Sequence, residues 1–155
     1  MIWWWILAGC FGGRHIRKVS NLSKHWTPEK IVSLLESPHS YVRLNTLQEI
    51  RRHQWDPNDD AKVIITPVLM TLLATDTEPC VIRGQTGYLL GRWQVNDAAL
   101  SIQTALNECD GESRYWMLRG LEHLTDSPYA KGIIQDLKTD SDLFIRTEAI
   151  RWSQP

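Results

Sequence analysis

The chain has 155 residues, of which 43% are hydrophobic and 23% charged, with a formal net charge of -1 at pH 7. That length suits one domain with a sizeable core, and the near-neutral balance excludes the basic stripe of a dedicated nucleic-acid binder. Three of the eight tryptophans, Trp3 to Trp5, fall in one N-terminal run and are left out of the expected core.

Met1 to Cys10 is apolar throughout and far shorter than the roughly 20 residues a spanning helix needs. Its end, Leu7-Ala8-Gly9-Cys10, resembles the lipobox of bacterial lipoproteins, in which small residues precede a cysteine that becomes the acylated N-terminus. The resemblance implies a signal-like segment over 1–9, lipid attachment at Cys10 and a membrane anchor. Phe11 is not the acidic residue that retains some lipoproteins in the inner membrane, so a periplasm-facing outer-membrane location follows. The segment lacks the basic start of a signal peptide, and Arg14, Arg17, Lys18 and Lys24 follow it, which opposes translocation. The competing expectation is a cytoplasmic protein. Residues 10–26 read as the attachment cysteine and a tether, and 27–155 as the folded domain.

Thr27 caps and Pro28 starts a first helix over 28–36, which Ser37-Pro38 ends. A second covers 39–53. The third, over 60–74, contains Pro67 and is expected to kink there. Further helices follow over 79–93, 96–108, 112–124, 127–137 and 143–152, separated by turn-forming runs such as Trp55-Asp-Pro-Asn-Asp-Asp60 and Thr75-Asp-Thr-Glu-Pro79. No segment alternates with period two, so the expectation is all-α, eight helices in four pairs.

The second helix of each pair carries a ten-residue pattern. Its third position is Arg43, Arg83, Met117 and Arg146, and its sixth is Thr46, Thr86, Gly120 and Ala149. Hydrophobic-Arg pairs (Val42-Arg43, Ile82-Arg83, Ile145-Arg146) follow turns holding Asp76, Asp110 and Asp140 or Asp142, and in this the chain resembles short bacterial HEAT-repeat proteins. The resemblance implies a right-handed α-solenoid of about four HEAT-like helix pairs over 27–153. Met117 replaces the expected arginine, so the third repeat is expected to lack its polar link. The sixth position is taken as the centre of the buried face, with Val42 and Ile50, Ile82 and Leu90, Trp116 and Leu124, and Ile145 beside it. Gly84, Gly87 and Gly91 cost helix stability. Packing at Gly87 is the expected compensation, and Gly84 has no explanation from sequence.

The opposite side supplies two rows, Asn45, Gln85, Arg119 and Glu148, then Gln48, Tyr88, Glu122 and Arg151. Repeat stacking sets such rows side by side on a concave surface. Mixed charge with one aromatic suits a protein or peptide partner better than a phosphate backbone. Cys80 and Cys109 fall at one end of the stack, near adjacent turns. An oxidising periplasm permits a disulfide between them, and two partly buried thiols are the other reading. The five histidines are scattered without metal-ligand spacing, Asp56 to Asp60 lacks the glycine and final glutamate of a calcium loop, and no phosphate loop or nucleophile motif occurs. No cofactor or metal is expected.

The resulting expectation is a non-enzymatic, lipid-anchored scaffold or adaptor that binds another protein and not nucleic acid. An uncapped last repeat leaves self-association open. The alternatives are a cytosolic scaffold of the same fold, and a chromophore-lyase-like enzyme. The latter would need reactive groups on the concave face, where only Tyr88 and arginines stand.

Overall fold

The computed structural model describes residues 27–153, and all regular structure among them is helical. The signal-like segment 1–9, the attachment residue Cys10 and the tether to residue 26 lie outside the described residues. The helices are α1 (Pro28–Leu35), α2 (Ser40–Arg52), α3 (Asp59–Ala74), α4 (Cys80–Arg92), α5 (Ala98–Glu108), α6 (Gly111–His123), α7 (Pro128–Asp136, then a 3-10 turn over Leu137–Thr139) and α8 (Leu143–Trp152). None is long and apolar enough to cross a membrane.

Capping follows side-chain chemistry. Thr27, Asn58, Ser127 and Asp142 each accept a backbone N–H in the first turn of the helix they precede, satisfying donors that the helix cannot. The helix expected from residue 96 starts at Ala98, after Asp97, with no side-chain cap bond. Helix α3 continues past Pro67 to Ala74. Helices α1, α3, α5 and α7 pack on one another in succession, α2, α4, α6 and α8 do the same, and each odd helix also packs on the even helix that follows it. One continuous apolar core runs from Ile31 of α1 to Ala149 of α8.

Four arginines tie the N-terminal ends of the even helices to what surrounds them. Arg43 Nη1 donates to Ser37 O, Arg83 Nε to Leu73 O (3.0 Å), Arg114 Nε to Leu106 O (3.0 Å) and Arg146 Nη1 to Asp140 O (2.6 Å). Leu73 and Leu106 lie in the last turn of the preceding odd helix, whose carbonyls the helix leaves unsatisfied, and Ser37 and Asp140 lie in the turn just after it. Three of these arginines reach onward to an acid of the next pair: Arg43 to Glu78 (2.7 Å), Arg83 to Glu108 (2.6 Å) and Arg114 to Asp140, which it grips with both Nη atoms.

This overturns the expected register of the third repeat. Its polar link is present, supplied by Arg114 three residues before Met117. Met117 is fully buried and takes the place of Thr46, Thr86 and Ala149, so that position is not always small. Trp116, expected on the buried face, is only half-buried. The acids also differ from those expected. Glu78 and Glu108 serve where Asp76 and Asp110 were anticipated, while Asp142 caps α8.

Gly120 has a different task, a close approach between α4 and α6. A Cβ on Gly120 would overlap the backbone of Gly87, and one on Gly91 would overlap the backbone of Gly120. A Cβ on Gly84 would come within 2.8 Å of Ser113 O, which accounts for that glycine. Gly87, the expected point of compensation, is the least constrained of the three on α4, since its Cβ would meet the Met117 side chain at 3.4 Å. Glycine's helix cost is offset here by backbone-to-backbone packing that no side chain allows.

Beside this seam, Cys80 at the start of α4 and Cys109 at the end of α5 form a disulfide, with Cα atoms 5.6 Å apart.

Candidate functional site

The side of the even helices away from the core gathers rings and guanidinium groups. Arg51 of α2 lays its guanidinium over the Trp116 ring of α6, 4.3 Å from the centroid, and so passes across the face of α4. Tyr88 of α4 meets Trp116 edge-on at 5.3 Å and His123 at 5.7 Å. Tyr115 continues the chain of rings to Phe144 at 5.4 Å, and Arg119 lies over Trp152 at 5.3 Å. Such stacks attract because the ring face is electron-rich and the guanidinium is weakly hydrated.

The eight residues expected to line this face do not share one environment. Asn45, Gln48, Tyr88, Arg119, Glu122 and Glu148 are half-buried and Arg151 is exposed. Gln85 is only 3% exposed, and its Oε1 has no hydrogen-bond partner. The reason is rotational. At about 100° per residue Gln85 sits on the flank of α4, well short of the side opposite Thr86 where Tyr88 stands. Gln85 is therefore unavailable to a partner in this arrangement. Arg119 lies 2.6 Å from Glu122, and Arg151 3.3 Å from Glu148, so these four charges are paired within their own helices. Trp116 and Arg51, absent from the expected rows, belong to the face. The three-residue register shift of α6 hides Trp116; the signal that reveals it is Arg114, which aligns with Arg43 and Arg83.

The C-terminal ends of α2 and α4 are built alike. Gln54 and Gln94 adopt left-handed backbone (φ 49 and 61) just after α2 and α4, a conformation that side chains ordinarily avoid. Each turn closes with Trp55 N on Ile50 O and Val95 N on Leu90 O, satisfying terminal carbonyls. The ends are then cross-tied: Arg92 Nη2 donates to Gln54 O (2.6 Å), and the Gln94 amide donates to His123 O.

Local electrostatics follow from burial and from these charges. Burial pushes the His123 imidazole below its ordinary value; Glu122 opposes that shift, and Arg119 and Arg92 add to it. The hydrogen bond from Arg114 is the main reason the Asp140 carboxyl is held below the usual carboxylate range. His39 and His53 are both partnered, and among the described residues no group of three or more His, Cys, Asp or Glu is arranged to hold a metal ion. A separate groove of about 710 Å³ lies between the α1–α2 turn and α3, with the already paired Arg43 and Glu78 in its lining.

Compared with known proteins, the chain matches no family model, no curated protein and no solved structure.

Proposed function

We propose that the protein is a non-enzymatic adaptor, a right-handed α-solenoid of HEAT-like helix pairs that binds a partner protein through the concave face of its even helices. The observation that carries the reading is the cluster of Arg51, Tyr88, Trp116 and His123 gathered from three successive even helices. Arginine, tyrosine and tryptophan dominate the energetics of protein interfaces, because they bring large contact area with a polar edge. The succession of even-on-even and odd-on-odd contacts supports the solenoid reading. A photo-reactive residue placed at Gln48 or Arg151 should capture one defined protein in the source cells, while the same group at Val63 of α3 should not. Equal capture at all three positions contradicts the reading.

The adaptor is further proposed to be lipid-anchored through Cys10 in a bacterial envelope. Two separate features support this: the lipobox-like Leu7-Ala8-Gly9-Cys10, and the Cys80–Cys109 disulfide, a bond that persists in oxidising compartments. Mass spectrometry of the mature protein should find a diacylglyceryl group on an N-terminal Cys10. An intact Met1 in the soluble fraction favours the cytosolic scaffold instead.

Self-association through α8 is a second proposal. Leu143, Phe144 and Ile150 are 67%, 55% and 43% exposed, and large exposed apolar side chains grouped on one helix mark contact surfaces. Light scattering should show a dimer that Leu143→Glu/Phe144→Glu converts to a monomer. A monomer at every concentration rejects it.

A further inference from the structure

Arg51 and Arg92 differ from every other arginine on the even-helix face. Arg52 pairs with Glu49, Arg119 with Glu122 and Arg151 with Glu148. No described carboxylate pairs with Arg51 or Arg92. Arg51 lies over Trp116, with its buried Nε unbonded and neither Nη group bonded to a described residue. Arg92 uses only Nη2, on Gln54 O. The neighbouring acids are already engaged, Glu49 by Arg52 and His53 and Glu112 by the Trp116 indole N–H (2.9 Å). Two guanidinium groups thus lack a described carboxylate partner, Arg51 over the Trp116 ring and Arg92 one helical turn beyond Tyr88 on α4.

We propose that the Arg51–Trp116–Tyr88–Arg92 cluster recognises an acidic segment of the partner protein, one that also carries an aromatic or large apolar side chain. Carboxylates take the free guanidinium edges in the forked geometry that arginine favours. The apolar side chain rests against the half-buried rings of Tyr88 and Trp116. A guanidinium already immobilised on a ring loses little rotamer entropy on binding. Nucleic acid fits poorly, since a phosphate backbone calls for a longer run of cations than two and the whole chain is near neutral. The inference rests on the reading of this face as the partner-binding one.

The test uses the full chain in detergent micelles and fluorescence anisotropy of three dye-labelled probes: a peptide alternating glutamate with phenylalanine, its glutamine-for-glutamate counterpart, and a single-stranded oligonucleotide. The acidic peptide should bind, more weakly as salt rises. The glutamine peptide should bind about tenfold more weakly or worse, the loss expected for one charge-assisted contact. Arg51→Gln/Arg92→Gln should lower acidic-peptide affinity by about tenfold or more, whereas Arg51→Lys/Arg92→Lys should keep the salt dependence and Lys131→Gln/Lys138→Gln should change nothing. No binding of the acidic peptide at low salt, equal binding of the two peptides, or tighter binding of the oligonucleotide overturns the inference. A partner captured at Gln48 whose contact segment lacks acids overturns it while leaving the adaptor reading standing. No defined partner at Gln48 or Arg151 removes both.

Discussion

The two ends of the even helices use arginine in opposite ways. At the N-terminal ends, Arg43, Arg83, Arg114 and Arg146 each bind a carbonyl of the preceding helix's last turn or of the turn after it, and three of them also bind an acid of the next pair. At the C-terminal ends, Arg51 and Arg92 have no carboxylate among the described residues, and one rests on a tryptophan ring. The helix dipole favours a cation at the second location and not at the first, so the unfavourably placed arginines are the ones held by a backbone carbonyl, three of them by a carboxylate as well. An arginine tied to the turn before its helix and to an acid of the next pair is a residue that holds the fold. A cation whose position the dipole favours, but whose N–H groups lack partners, is a residue with capacity left for a ligand.

The comparison can be broken most forcefully at the tied end. Cys80→Ala/Cys109→Ala opens a link across a sequence separation of 29, worth about 3–4 kcal/mol by loop entropy, and urea unfolding should show it. At the seam, Gly91→Ala forces α4 and α6 apart and should cost about 3 kcal/mol, whereas Gly87→Ala should cost far less. Equal effects would mean that the helices do not meet at Gly91 and Gly120.

Arg114→Met leaves Leu106 O and Asp140 without their donor, at about 2–3 kcal/mol. It also carries a pH signature. Asp140 is held below its ordinary value of 3.8 by Arg114, so the native carboxylate contributes stability above that pH and loses it as pH falls through its folded value. Wild type should lose this increment below about pH 4 and Arg114→Met should lose much less, since only the Asp142 N–H and Arg146 then favour the carboxylate. Parallel stability curves for the two proteins contradict the clamp. The smallest effect belongs to the open end. Gln54→Gly relieves a left-handed φ of 49 and should stabilise by about 0.5–1 kcal/mol, measured as a raised urea midpoint.

The helices were legible in the sequence because caps and apolar spacing are local signals. Thr27-Pro28 and Ser127-Pro128 each mark a helix start. The register of α6 was not legible, because two different jobs call for a small residue. Thr46, Thr86 and Ala149 are small within the core, while Gly120 is small so that its backbone can reach Gly87. Only the partner helix distinguishes them. Reading Gly120 as the core position moved Trp116 to the inside and left Arg114 unassigned. Gln85 failed for a related reason. A helix wheel gives an angle, and whether that angle is open depends on how closely the flanking helices approach.

The central claim is that one set of arginines folds the protein and the other serves binding. It is tested most directly by urea unfolding of Arg51→Gln/Arg92→Gln beside Arg83→Met, with both scored for acidic-peptide affinity. Arg83 is 2% exposed and holds Leu73 O and Glu108, so its loss should cost about 2–3 kcal/mol. The double variant loses one ring contact and one surface hydrogen bond, together about 1 kcal/mol, and should keep its fold while peptide binding falls. A double variant that unfolds as readily as Arg83→Met, or one that folds and binds the acidic peptide unchanged, contradicts the account.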